Sequence, residues 1–168
     1  MADAATLTLT LIRHGTAGEA GRDEDRALTP GGRQEIARVA RTLLRTGSRF
    51  DVVVSSPLVR AVQTAEIVIS CLQHAGRVVV DPRLVPEASP LAVVELLREL
   101  APLRRVALVA HEPILSGLAG LLLGGSLGRG LVKGEAMRIR IRGVEGGGSH
   151  AQWRWSIDPV AGKRRPHP

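Results

Sequence analysis

A single cysteine, Cys71, leaves no partner for an internal disulfide. It lies within a helical pattern and reads as an inert buried thiol. Tyrosine is absent, and Phe50, Trp153 and Trp155 are the only aromatic residues, too few to stack a run of nucleic-acid bases. Lysine occurs only at Lys133 and Lys163, and the arginines are scattered along the chain. The net charge of +7 and pI near 11.2 are therefore spread out rather than gathered in a stripe. A nucleic-acid partner is not expected, although a non-catalytic polyanion-binding module remains an alternative of a different class. No long hydrophobic run is present. The longest apolar tract, Ile114 to Leu123, is interrupted by Ser116 and Gly117 and reads as a buried helix, so no membrane partner is expected. The first residues carry Asp3 rather than a cationic cluster, and their apolar residues alternate, which excludes a secretory signal and places the expected location in the cytoplasm.

What the 168 residues do contain is enough apolar character, 44% against 23% charged, for one core. One domain is expected over residues 1–160, followed by a basic tail over 161–168 with little order. Thr6 to Ile12 alternates with period two, as a strand does. Thr29-Pro30 caps a helix whose stripe is Ile36, Val39, Ala40, Leu43 and Leu44, with Gly47 ending it. "DVVVSS" at 51–56 is a strand apolar on both faces, and Ser56-Pro57 starts a helix with the stripe Leu58, Val62, Ala65, Ile69 and Leu72. "RVVVD" is a third strand. Ser89-Pro90 opens a helix on Val93, Leu96, Leu97 and Leu100, "RVALVA" at 105–110 is a fourth strand, and Glu112-Pro113 begins the last helix. "AMRIRIR" and "AQWRWSI", separated by "EGGGSH", form an antiparallel hairpin with Trp153 and Trp155 on one face. Strands alternating with helices imply an α/β class: a three-layer α/β/α domain with a mostly parallel central sheet and a C-terminal antiparallel hairpin.

Ligands of open parallel sheets gather beyond the carboxyl ends of the strands. Arg13 and His14 follow the first strand, Arg60 enters the first turn of the helix after the second, and His111 follows the fourth. Arginine forks and a helix amino terminus suit phosphate. Three-ligand metal spacing is missing, because His74, His150 and His167 fall in a helix, a turn and the tail, so no metal and no cofactor is expected. Beside two guanidinium groups, His14 should have a lowered pKa and a free nucleophilic nitrogen. Gly15 allows a sharp turn and a close backbone approach.

The stretches "LIRHG", "LTPGG", "SSPLVRAVQTAEIV" and "LVAHEP", in this order at strand ends, resemble the histidine phosphatase superfamily, also called phosphoglycerate-mutase-like. The short length is most similar to its SixA-type phosphohistidine phosphatase branch. The resemblance implies a metal-independent phosphatase in which His14 becomes phosphorylated, Arg13 and Arg60 bind the phosphoryl oxygens and His111 donates a further hydrogen bond. Gly15 and Thr16 are added as phosphate contacts. Many members place a carboxylate after the third strand as general acid, and Glu87 is the candidate here. Gln63 and Thr64 read as local scaffolding, Glu66 as the partner of an arginine, and Arg26 as a loop residue. The substrate implied is phosphohistidine on a protein, with a small phosphate ester, protonated by Glu87, as the alternative.

Overall fold

The computed structural model describes residues 6–143 and 150–167. Among these, β1 (Thr6–Arg13), β2 (Val52–Ser55), β3 (Val78–Val80), β4 (Arg105–Ala110), β5 (Ala136–Arg142), β6 (His150–Ile157) and β7 (Arg164–Pro166) form one sheet in the order β3-β2-β4-β1-β5-β6-β7. The first four strands pair in parallel and the last three add on antiparallel. The antiparallel half is thus larger than a hairpin, and the turn expected at "EGGGSH" lies mostly outside the described residues.

Among the described residues, four α-helices cover the two faces. The helix α1 (Pro30–Arg45) starts where Thr29 Oγ1 accepts the Gly32 N–H at 2.9 Å, with Pro30 in the first turn, whose free N–H groups a proline does not need. It packs with α2 (Val59–Cys71) on one face, around Ile36, Val39, Leu43, Ala61, Ala65 and Val68. On the other face, α3 (Pro90–Leu100) and α4 (Ile114–Leu123) enclose Leu9, Leu11, Leu97, Leu108 and Leu115. Apolar residues on both sides of β4 and β1 follow from coverage on both faces. No helix among the described residues is long and apolar enough to cross a membrane.

Four expectations change. The buried face of α2 is Arg60, Ala61, Thr64, Ala65 and Val68, rotated from the apolar stripe, because the helix turns two polar side chains inward for the site described below. Trp153 and Trp155 do not share a face. A bulge opposite Arg138 and Ile139 skips Arg154, so Trp155 joins the α1/α2 core and Trp153 packs against the α3/α4 core. The basic tail is not without order: β7 pairs with β6, Arg165 reaches Asp158 at 2.7 Å, and the His167 ring stacks on Trp153 at 4.1 Å. Cys71 is half-buried rather than enclosed.

Candidate active site

The strand ends are tied to one another before any side chain is considered. The His14 N–H donates to Ala110 O at 3.1 Å, Ser56 N–H to Val109 O at 2.9 Å, and Gly134 N–H to both Arg13 O and His14 O at 3.1 and 3.0 Å. The carboxyl ends of β1, β2 and β4 and the segment before β5 therefore form one rigid edge. Gly15 has a steric task there. A Cβ at Gly15 would lie 2.8 Å from Gly32 O and 2.9 Å from Ile36 Cγ1, so its glycine is needed for contact with α1 rather than for an unusual φ. Its N–H donates to Thr64 Oγ1 at 3.2 Å, and Thr64 in turn donates to Arg60 O at 2.8 Å. The scaffold threonine thus joins the histidine loop to the arginine helix.

His14 and His111 are both buried, with ring centroids 4.9 Å apart. His14 Nδ1 lies 2.7 Å from Gly15 O. A carbonyl oxygen can only accept, so Nδ1 carries the proton and Nε2 keeps its lone pair. The His14 pKa is lowered to about 4, first by burial and then by Arg60, Arg13 and Lys133, while the Gly15 hydrogen bond opposes the shift. Burial outweighs the guanidinium charges that the sequence pointed to. His111 is lowered to about 3 by burial, His14 and Arg60, with Asp23 opposing. Its Nε2 lies 2.8 Å from Ser56 Oγ. That oxygen accepts the Leu58 N–H at 3.3 Å and keeps a second lone pair, so the Ser56 hydroxyl can donate to Nε2 or accept from it; the donating arrangement puts the His111 proton on Nδ1.

Arg13 holds the loop before β5 through Nη1 to Leu131 O at 2.6 Å. Arg60, 4% exposed, donates from Nη1 to Asp23 O at 2.7 Å and from Nη2 to Asp23 Oδ2 at 2.9 Å. Among the described residues, Arg13 Nε, Arg60 Nε and His111 Nδ1 are buried without a hydrogen-bond partner, as is Trp153 Nε1 on β6. Buried polar atoms in a native fold are nearly always satisfied, so the unpartnered nitrogens of Arg13, Arg60 and His111, which interact electrostatically with His14, make up a candidate cradle for an anion with several oxygens.

The remaining sequence-based candidates divide. Thr16 is turned away, its Oγ1 donating to the Glu35 carboxylate at 3.0 Å and its N–H to Glu35 Oε2 at 3.1 Å. Glu87 is exposed after β3 and makes no hydrogen bond or ion pair among the described residues. Glu66 is exposed and likewise has no arginine partner there. Gln63 accepts the Leu28 N–H at 2.8 Å, and Arg26 Nε holds Gly18 O at 2.8 Å. Asp23, Ser56 and Lys133 were missed. Asp23 and Lys133 lie in polar loops without periodicity, although Lys133 stands out as one of two lysines in an arginine-rich chain.

The sequence profile of the histidine phosphatase superfamily (branch 1) matches residues 9–85. An uncharacterised protein of Picosynechococcus sp. is 33% identical over 141 residues, covering 81% of this chain and 85% of that protein. The chain belongs to the histidine phosphatase superfamily. Members are hydrolases of phosphoryl groups, and this histidine phosphatase has the short SixA-type form. It is similar to the protein histidine phosphatase SixA, solved with tungstate, at 25% identity and a TM-score of 0.85 over 94% of this chain and all of that one. The mycobacterial glucosyl-3-phosphoglycerate phosphatase shares the fold at 18% identity and a TM-score of 0.70, over 88% of this chain and 97% of that one.

Proposed function

We propose that this phosphatase removes phosphoryl groups from histidine side chains of a partner protein by way of a phosphorylated His14. The observation that carries this reading is the 2.7 Å bond from His14 Nδ1 to Gly15 O, which leaves Nε2 unprotonated as a nucleophile on a buried ring whose charge Arg13 and Arg60 oppose. Nε2 attacks phosphorus in line, and the electron pair of the breaking bond leaves with the substrate nitrogen. The guanidinium groups of Arg13 and Arg60 and the His111 Nδ1–H bind the three equatorial oxygens, where charge concentrates in the transition state. Water then hydrolyses the phosphohistidine on the enzyme and returns His14 to its starting state. Catalysis in this scheme is supplied by arginine charge, so chelators should leave it unaffected and vanadate should inhibit it. The likeness to SixA, whose name gives protein histidine phosphatase as its activity, supports the substrate class.

The test is hydrolysis of a chemically phosphorylated histidine peptide beside sugar and nucleotide phosphates. Turnover of the peptide and an acid-labile phosphoryl label on the protein are expected, both lost in His14→Ala. Full activity in His14→Ala would falsify the mechanism. Turnover of esters alone, with a large loss in Glu87→Gln, would favour the ester reading, in which Glu87 protonates the leaving oxygen.

A further inference from the structure

The carboxylate that the fold brings to the cradle is Asp23, in the 3-10 turn Asp23–Asp25 between β1 and α1. It is held from both ends. Its carbonyl oxygen and Oδ2 accept the two Nη groups of Arg60, at 2.7 and 2.9 Å, and Oδ1 accepts Arg26 Nη1 at 3.0 Å. Arg26 is itself fixed by Gly18 O. Arg60 is thereby gripped through both Nη atoms while its Nε remains without a partner. An ionised carboxylate offers about four acceptor positions, and two are used here. The Asp23 side chain is 62% exposed beside an Arg60 side chain that is 5% exposed, so the spare positions are open to solvent next to a buried guanidinium. Of the charges that weigh most on His14 and His111, Asp23 is the one carboxylate.

We propose that Asp23 receives the leaving group: its carboxylate accepts a hydrogen bond from the N–H of the substrate imidazole, at the ring nitrogen that does not carry phosphorus. This role rests on the phosphohistidine reading above. With that ring protonated, His14 Nε2 forms its bond to phosphorus, the electron pair of the breaking P–N bond passes to the substrate nitrogen, and a neutral imidazole departs. No proton has to move. Arg26 and Arg60 hold the Asp23 carboxyl below the usual range, which makes it an acceptor and not an acid. An alkoxide leaving group needs a proton that this carboxylate lacks, so the site selects P–N over alkyl P–O bonds. The groups facing Asp23 are Arg26 of its own segment, Arg60 of α2 and His111 after β4, while the neighbouring Glu24 is paired with Arg22.

Asp23→Asn keeps the shape and removes the charge. The measurement is kcat at saturating substrate, which reports the ionisation of the bound ring, between pH 5.5 and 8 on a phosphohistidine peptide and on p-nitrophenyl phosphate, whose leaving group departs without a proton. On the peptide at pH 8 the expected loss is about 10- to 100-fold, the value of a charge-assisted hydrogen bond. That loss should shrink towards pH 5.5, where free imidazole, with a pKa of about 6.5, is protonated by solvent. On p-nitrophenyl phosphate the loss should stay under about threefold by the same scale. Equal losses on both substrates would mean that Asp23 only positions Arg60, and equal gains that it only blocks the cradle; either overturns the proposal, as does a loss that does not vary with pH. If Asp23→Asn matches the wild type on the peptide, this role alone is overturned. A wild type that cleaves p-nitrophenyl phosphate but not the peptide overturns the substrate reading and this role with it.

Discussion

His14 and His111 stand with ring centroids 4.9 Å apart and planes tilted by 55°, each fixed through one ring nitrogen, His14 by Gly15 O and His111 by Ser56 Oγ. Two buried imidazoles so close to two arginines favour the uncharged state together. Their pKa values, about 4 and about 3, lie below the ordinary 6.5. As pH falls through 6.5 the unfolded chain binds protons at both positions and the folded chain does not, so stability is complete above 6.5 and declines below it. The size is on the order of a few kcal/mol for a coupled pair. Denaturant unfolding between pH 7.5 and 5.5, above the range where most carboxylates titrate, should show a slope that flattens in His14→Asn and in His111→Asn. An unchanged slope in both variants would reject the buried neutral pair.

The same shift governs rate. If His14 Nε2 is the nucleophile, the acid limb of kcat/KM assigned to the free enzyme should fall near pH 4, well below the limb near 6.5 that an exposed histidine would give. The substrate's own ionisation, measured separately, is subtracted first. A limb at 6.5 would mean that the ring is more solvated during turnover than its burial implies.

Much of this was legible in the sequence because it is local. Thr29-Pro30 marks the start of α1, Arg13, His14 and His111 fall at strand ends that periodicity can place, and Arg60 falls in the first turn of the helix after β2. What was not legible depends on long-range partners. The α2 stripe was misplaced because Arg60 and Thr64, polar by type, are buried by the site they serve. The strand β7 forms on a ladder with β6 and a stacked Trp153–His167 pair that no local pattern announces. Asp23 sits in "GRDEDR", three consecutive acidic residues flanked by arginines, where only the approach of Arg60 from α2 singles out one carboxylate among the three.

Close backbone approach makes a sharper demand than the motif "LTPGG" suggests. A Cβ at Gly32 would collide with Thr16 O and with the Thr16 backbone N and C, whereas one at Gly31 meets nothing nearer than Thr29 Oγ1 at 3.8 Å. Both glycines are in the first turn of α1. Gly32→Ala should therefore destabilise by about 2–4 kcal/mol and displace the loop carrying His14, with activity falling alongside. Gly31→Ala should be neutral or slightly stabilising, by up to about 1 kcal/mol, as expected for alanine in a helix. Thermal unfolding of the two variants side by side is the check, and equal stability would show that the α1 contact yields at no cost.

Ser56 decides what His111 can do. When the Ser56 hydroxyl donates to His111 Nε2, the proton of the neutral ring sits on Nδ1, the atom without a hydrogen-bond partner among the described residues. Removing the hydroxyl lets the ring change tautomer or rotate, and the donor to the phosphoryl oxygen is lost for part of the time. Ser56→Ala should lower kcat by about 10-fold, with a smaller change in KM, because the hydrogen bond it protects strengthens as charge develops on phosphorus. His111→Asn should cost more, about 100-fold or beyond, since it removes the donor rather than its orientation. A Ser56→Ala enzyme as active as the wild type would show that packing against His14 suffices to fix the ring, and the tautomer assignment would then need a different cause.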